Sequence, residues 1–262
     1  GFSDEPQHMV QGKITSNLLK LLNIKTCILN NNNNLKSLSK LISYSKKNKR
    51  PVACLFKKNS LKSNKILKMN KKVKSNLRRE IVIEKILKKI DKSTKIISTT
   101  GYTSRELYHI RKEKNFFSGR DFYMVGAMGH ASAVALGVAL KNKNMVLCLD
   151  GDGSILMHLG ALNMNGIAKK KNFKHILLNN ASHESVGGQK THAEKINFKN
   201  LVISLGYNNY YCAKNKNEFL QKLSIFLKSP GPSFFEINIC NGTIDNLSRP
   251  KNLSKIKSNF LK

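Results

Sequence analysis

The sequence predicts an α/β protein: a doubly wound, mostly parallel sheet with helices on both faces, preceded by part of another α/β domain. Three observations carry this. Short apolar runs of strand length recur along the chain, among them Thr94–Ser98, Met145–Asp150, His175–Leu178 and Ser233–Ile239. Helix-length segments separate them, as a parallel sheet requires. Several of these strands end in a polar turn that leads into a helix start. The 262 residues are enough to bury a substantial core.

Residues 1–60 read as the closing part of a domain. Ile14-Thr15-Ser16-Asn17 offers a helix start, with an apolar pattern running to Leu22. Thr26–Leu29 is a short strand, Asn30–Asn34 a polar loop, Leu35–Ser45 a second helix and Pro51–Phe56 a second strand. Two strands and two helices fall short of a sheet domain. The expectation is therefore that an N-terminal part is missing, or is supplied by a partner chain. Residues 61–78 are rich in Lys, Asn and Ser and read as a solvated linker.

Residues 79–245 read as the main domain. Arg79–Ile90 is an amphipathic helix carrying Ile81, Ile83, Ile86 and Leu87. The strand Thr94–Ser98 runs into TTGYTSRE, where Thr103 or Ser104 is placed to cap the next helix. A strand from Asp121 leads to Gly126-Ala127-Met128-Gly129, then to a helix of small residues ending at Leu140. GAMGHA lacks the GxGxxG spacing of a dinucleotide fingerprint. Beyond the central strands come a helix over Phe198–Leu205, Gly206 as its stop, and a strand over Tyr210–Ala213. A helix over Glu218–Leu227, the Pro230-Gly231-Pro232 turn and the last strand follow. Residues 246–262 are basic and polar and read as a surface tail.

The formal net charge of +32 would ordinarily suggest nucleic acid. The lysines, however, form no single stripe and are not interleaved with exposed aromatics. They rise together with Asn and Ile along the whole length, which a biased composition explains. No nucleic-acid role is assigned, although a basic surface attracts anionic small molecules. No apolar run is long enough to span a membrane. The five cysteines are scattered without a CxxC pair, which points to a reducing, cytoplasmic compartment and away from a disulfide framework.

The chemistry concentrates in Met145–Gly188. A strand ends in Gly151-Asp152-Gly153-Ser154, a helical segment follows with Ile155, Leu159, Leu162 and Gly166 near one face, and a second strand ends in Asn179-Asn180. In a parallel sheet both strands deliver their C-termini to one edge, where ligands bind. Asp152 and Asn180 should therefore meet. A carboxylate and an amide oxygen suit a hard cation such as Mg²⁺. Gly151 and Gly153 admit a close backbone approach, and Ser154 is placed to cap a helix whose N-terminal amides favour phosphate. Together these groups describe a diphosphate clamp. Ala181–Thr191 (ASHESVGGQKT) reads as a lid or substrate loop beside it.

A GDG, a spacer of this length and a closing Asn-Asn resemble the signature of thiamine diphosphate enzymes. With TTGYTSREL, VGAMGHASAVALG and LNNASHESVGGQ, the chain is similar to the phosphonopyruvate decarboxylases from Asp4 to about Ile239. Sulfopyruvate decarboxylase shares much of this pattern. The resemblance implies thiamine diphosphate and Mg²⁺ as cofactors. Asp152 and Asn180 would bind the metal through side chains and Ser182 through its carbonyl. Gly101, Thr103, Ser104, Gly151, Gly153 and Ser154 would contact the cofactor. The Gly126 carbonyl would accept from the aminopyrimidine, and Met128 would wedge the cofactor into its bent form. Arg105 and Gly187, Gly188 and Gln189 are candidates for gripping a small anionic 2-oxo acid, and His183 for proton transfer. Lys190 stands where the family pattern leads one to expect proline. The resemblance further implies decarboxylation of 3-phosphonopyruvate to phosphonoacetaldehyde and CO₂. The activating glutamate is not assigned within this chain, so a homo-oligomer or a partner subunit with a pyrimidine-binding domain is expected, and the chain alone is expected to be inactive. Open alternatives are a sulfopyruvate decarboxylase β-like subunit and a non-catalytic basic binding protein on the same fold.

Overall fold

The computed structural model describes residues 8–30, 35–57, 60–61, 75–116, 120–250 and 252–262. It divides into two compact units, Gly1–Lys68 and Met69–Lys262. The first holds α1 (His8–Leu21), β1 (Lys25–Leu29), α2 (Leu35–Asn48) and β2 (Val52–Phe56). β1 and β2 pair in parallel from Lys25↔Val52 to Leu29↔Phe56. The Ile14–Asn17 start is overturned: the chain is already helical at His8, and the Thr15 hydroxyl bonds back to the Gln11 carbonyl inside the helix (2.6 Å).

The second unit opens with Ser75–Arg78. The linker reading fails for these four residues, while 62–74 lie outside the described residues. Leu77 is fully buried, its carbonyl accepts from the Cys240 N–H (2.9 Å), and the Ser75 hydroxyl donates to the Asn238 carbonyl (2.8 Å). One leucine in the core, one backbone bond and one hydroxyl–carbonyl bond hold the segment in place. There follow α3 (Arg79–Lys89), β3 (Lys95–Ser98), α4 (Tyr102–Glu113), β4 (Asp121–Tyr123), α5 (Ala131–Lys141) and β5 (Val146–Gly151). Next come α6 (Asp152–Met157), α7 (Ala161–Ile167), β6 (Phe173–Asn179) and a short hairpin of β7 (Ser182–His183) and β8 (Gln189–Lys190). The unit closes with α8 (Phe198–Ser204), β9 (Asn209–Ala213), α9 (Lys216–Lys228), β10 (Ser233–Asn238) and α10 (Leu253–Leu261).

Six strands form one sheet in the order β4-β3-β5-β6-β10-β9, every pair parallel. Successive strand residues serve opposite faces. Leu147, Leu149, Ile176 and Leu178 join Val82, Ile86, Leu107 and Phe226 of α3, α4 and α9. Val146, Cys148, Phe173 and Leu177 join Ala135, Ile155, Leu162 and Val202 of α5 to α8. Both faces are thus covered, which is why the strands read as continuous apolar runs. The strand order reverses between β3 and β5, and the crevice past their C-terminal ends is where such a sheet takes ligands.

Two further readings are corrected. The helical segment after the GDG turn is two helices, broken where His158 leaves helical geometry (φ −142°, ψ 53°) ahead of Gly160, a poor helix former. The tail reading of 246–262 also fails. α10 is amphipathic, Phe260 is buried with its ring 5.5 Å from Phe122, and its carbonyl accepts from Lys95 Nζ (2.7 Å). Among the described residues no helix is long and apolar enough to cross a membrane.

Candidate functional site

The crevice at the strand-order reversal is a cavity of about 60 Å³, room for an ion and a few waters. Its wall includes Thr99, Thr100, Tyr102 and Thr103 from the β3–α4 turn, and Gly151, Asp152, Gly153 and Ser154 from the β5–α6 turn. Met128, Leu178, Asn180, Arg79 and the run from Ser182 to Ser185 also line it.

Asp152 is 2 % exposed and opens α6. Its carboxylate accepts from the Thr191 hydroxyl (2.5 Å), and β5 pairs with β6 up to Gly151↔Leu178, so the residues just past the two strand ends line one wall. Burial pushes the Asp152 carboxyl above its ordinary value. The hydrogen bonds and nearby His183 offset part of that rise. A buried acid so placed is stabilised as a carboxylate by a cation.

Asn180 is buried too. Its Oδ1 accepts from the Ser182 N–H (3.1 Å) and its Nδ2 donates to Glu184 Oε2 (3.1 Å). Ser182 Oγ is buried without a hydrogen-bond partner among the described residues. A carboxylate and an amide oxygen are hard donors of the kind Mg²⁺ takes, and Ser182, expected to contribute its carbonyl, lies on the same wall. At Gly153 a Cβ would lie 2.3 Å from His183 Nδ1, so only glycine lets the imidazole sit on this turn.

The hydroxyls do not cap helices as expected. Ser154 lies within α6; its Oγ receives the Thr99 hydroxyl (2.7 Å) and the Gly129 N–H (3.0 Å), tying three turns together. Ser104 turns back to the Thr99 carbonyl (2.6 Å), and the α4 N-cap is Gly101 at φ 105°, with no side-chain cap. Thr103 is likewise inside the helix. Both helices begin earlier than expected, with Gly101 and Gly151 at the N-cap positions and no side-chain cap at either.

Of the other predicted residues, Gly101, Ser104, Arg105, Gly126, Gly187, Gly188 and Gln189 are not on the cavity wall. Gly126 is in the left-handed region (φ 70°) ahead of Met128. Arg105 lies 5.8 Å from the ring centre of Tyr102, which is on the wall. The Gly187–Gln189 turn closes the β7–β8 hairpin, paired as Ser182↔Lys190 and His183↔Gln189. The anticipated lid is thus a hydrogen-bonded hairpin.

Sequence reasoning missed a buried charge network beside this wall. Arg79 Nη2 meets Glu184 Oε2 at 2.7 Å and Nη1 meets Glu106 Oε1 at 3.0 Å, all three side chains buried. Thr243 Oγ1 donates to Glu106 (2.8 Å) and the Gly242 N–H to Glu184 (2.5 Å). Burial works against the Arg79 charge, yet the two carboxylates hold its pKa above the ordinary value. Burial raises Glu106. Nothing local in the sequence sets Arg79 apart, since its helix also carries Glu80, Glu84, Lys85, Lys88 and Lys89.

Comparison with known proteins places this geometry. The family described as "Thiamine pyrophosphate enzyme, C-terminal TPP binding domain" matches residues 98–237, more than half of the chain. The chain belongs to the thiamine pyrophosphate enzyme family through this domain. A phosphonopyruvate decarboxylase of Streptomyces viridochromogenes is 36 % identical over 169 residues, covering 64 % of this chain and 41 % of that protein. A sulfopyruvate decarboxylase subunit beta of Methanothermobacter thermautotrophicus is 39 % identical over 150 residues, covering 57 % of this chain and 76 % of that protein. Among solved structures, an enzyme of Mycobacterium smegmatis described as thiamin diphosphate-dependent superposes with a TM-score of 0.50 at 15 % identity, over 67 % of this chain and 34 % of that one. It shares the fold. The chain spans about two fifths of the length of the phosphonopyruvate decarboxylases it matches, 41 % and 42 %.

Proposed function

We propose that this chain supplies the diphosphate- and metal-binding part of a thiamine diphosphate- and Mg²⁺-dependent decarboxylase of a small anionic 2-oxo acid, with 3-phosphonopyruvate as the substrate. The observation that carries the reading is the buried Asp152 carboxylate sharing one wall with Asn180 and Ser182, at the crevice where the strand order reverses. The residues fit the cofactor. Asp152, Asn180 and Ser182 would hold the metal, the Gly151–Ser154 turn would carry the diphosphate, and Gly126 and Met128 would seat the pyrimidine end. Bound there, the thiazolium ring supplies the electron sink that loss of CO₂ requires.

The chain's own residues orient and protonate. The β7–β8 hairpin lays the His183 imidazole against Gly153 of the β5–α6 turn. Loss of CO₂ requires a proton to take its place on the carbonyl carbon, and the His183 imidazole on the wall is the group to bring it. Arg105, beside Tyr102 of the wall, and the Gly187–Gln189 turn are the candidates for the phosphonate, although neither lines the cavity itself. The partner would be a second copy or a subunit with a pyrimidine-binding domain.

A sulfopyruvate decarboxylase β-like subunit is the second reading. The overlap with 76 % of one such protein, named as a subunit, favours it. Phosphonate and sulfonate are both tetrahedral anions, so the assay must offer both. Aldehyde and CO₂ are to be measured with each 2-oxo acid, thiamine diphosphate and Mg²⁺, for the chain alone and with a pyrimidine-binding domain added. Turnover is expected only in the completed system, fastest with phosphonopyruvate. No turnover in either system, with the cofactor unbound, would overturn the reading.

A further inference from the structure

We infer that Glu184 is a positioning residue for the metal site, working with Arg79 to fix which atom of the Asn180 amide faces Ser182; this rests on the cofactor reading above. An amide can sit either way round, and its hydrogen bonds decide. Asn180 Oδ1 receives the Ser182 N–H (3.1 Å), while Nδ2 gives to Glu184 Oε2 (3.1 Å). The reversed amide would set an NH₂ against an N–H and a carbonyl against a carboxylate. Only one orientation survives, and it leaves Oδ1 a second lone pair for a cation.

Glu184 holds this position because it is itself held. Its Oε2 also takes Arg79 Nη2 (2.7 Å), and its Oε1 takes the Gly242 N–H (2.5 Å). Arg79 in turn is fixed by Glu106, which takes Thr243. Arg79, Asn180 and Gly242 thus converge on one carboxylate beside the metal donors. The same anchoring sets the hairpin that carries Ser182 and places His183 over Gly153. Hydrogen-bonded partners of this kind change metal affinity on the order of 10–100-fold when removed.

Glu106 supplies the control. Glu184→Gln and Glu106→Gln each leave Arg79 facing one carboxylate and one amide, but only the first touches Asn180. The test titrates Mn²⁺ into the full chain with inorganic pyrophosphate, by calorimetry and by the Mn²⁺ paramagnetic resonance signal, for wild type, both variants, Glu184→Asp and Asp152→Asn. Glu184→Gln is expected to weaken Mn²⁺ by about 10–100-fold, Glu106→Gln by less than threefold, and Glu184→Asp to recover part of the loss. Equal losses in the two glutamine variants, or wild-type affinity in Glu184→Gln, would overturn the role of Glu184 alone. No Mn²⁺ binding by the wild type, or undiminished binding by Asp152→Asn, would instead overturn the metal-site reading and this inference with it.

Discussion

Replacing Asp152 by Asn should make the metal-free chain more stable while removing its response to metal. The carboxylate is 2 % exposed, and burial raises its pKa above the unfolded value. The sign follows from proton uptake. Between the unfolded and the folded pKa the folded state binds more protons, so stability falls as pH rises through that window and stays lower above it. At neutral pH the native chain therefore carries a buried carboxylate that asparagine would relieve. Thr191 and the Asn180 N–H offset part of this, so a gain of about 0.5–2 kcal/mol is expected, typical of relieving a functional site. At about 2–4 °C per kcal/mol for a chain of this size, the melting temperature rises by roughly 1–8 °C. Ligand works the other way. Mg²⁺ with pyrophosphate at about 100 times Kd stabilises the wild type by about 2.7 kcal/mol, or roughly 5–11 °C. The two melting curves should exchange order on adding ligand, read by circular dichroism at pH 7.5. A variant that melts below wild type without ligand, and still gains the full ligand-induced shift, would refute the reasoning.

Three other outcomes follow from the structure. At Gly166 a Cβ would lie 1.9 Å from the Leu205 carbonyl oxygen, so Gly166→Ala must push α7 from the end of α8; a loss of about 1–3 kcal/mol or more is expected in denaturant titration. Lys174 is buried, donates to the Phe226 (2.9 Å) and Ser229 carbonyls, and burial lowers its pKa to about 8. With the unfolded value near 10.5, its stability cost is present below pH 8 and fades as pH rises to 10.5; relative to Lys174→Met, wild type should gain on the order of 3 kcal/mol across that window. A flat difference between the two would reject it. Arg105→Ala should raise KM for phosphonopyruvate about tenfold more than KM for pyruvate, as loss of a guanidinium–anion contact would; equal changes would remove Arg105 from the substrate site.

The β5–α–β6 unit was legible because its signals are local. A strand-length apolar run, a Gly-Asp-Gly turn and an Asn-Asn at the next strand end fix which edge of the sheet each residue reaches. The proximity of Asp152 and Asn180 then follows from topology alone. What was not legible depends on residues far apart in sequence. Arg79, Glu106 and Glu184 are ordinary helix-start, helix and loop residues until the fold brings them together. Thr191 reads as loop chemistry until its hydroxyl meets Asp152. Capping was misjudged for a different reason. Thr103, Ser104 and Ser154 are good caps by type, but each helix starts earlier, directly after Gly101 or Gly151, and the Ser154 hydroxyl then serves contacts between turns. Leu77 and Phe260 were hidden by basic neighbours; one large apolar side chain in each segment was enough to seat it.

The charge of the molecule and the charge of its crevice have opposite signs, and this divides the work of binding. The chain carries +32, yet the cavity wall sets one guanidinium, Arg79, against two carboxylates, Asp152 and Glu184, with no lysine among the described lining residues. A diphosphate arriving at that wall meets carboxylates, so a divalent cation is needed to join the two. The basic exterior instead acts at a distance, by raising the encounter rate of any anion. Screening separates the contributions: the Debye length falls from about 30 Å at 0.01 M to about 8 Å at 0.15 M salt. Stopped-flow association of thiamine diphosphate with Mg²⁺ should therefore slow severalfold over that range, while the dissociation rate, set inside the buried site, changes little. If dissociation instead carries the salt dependence, the anion is held by exposed lysines, and the crevice centred on Asp152 is not where it binds.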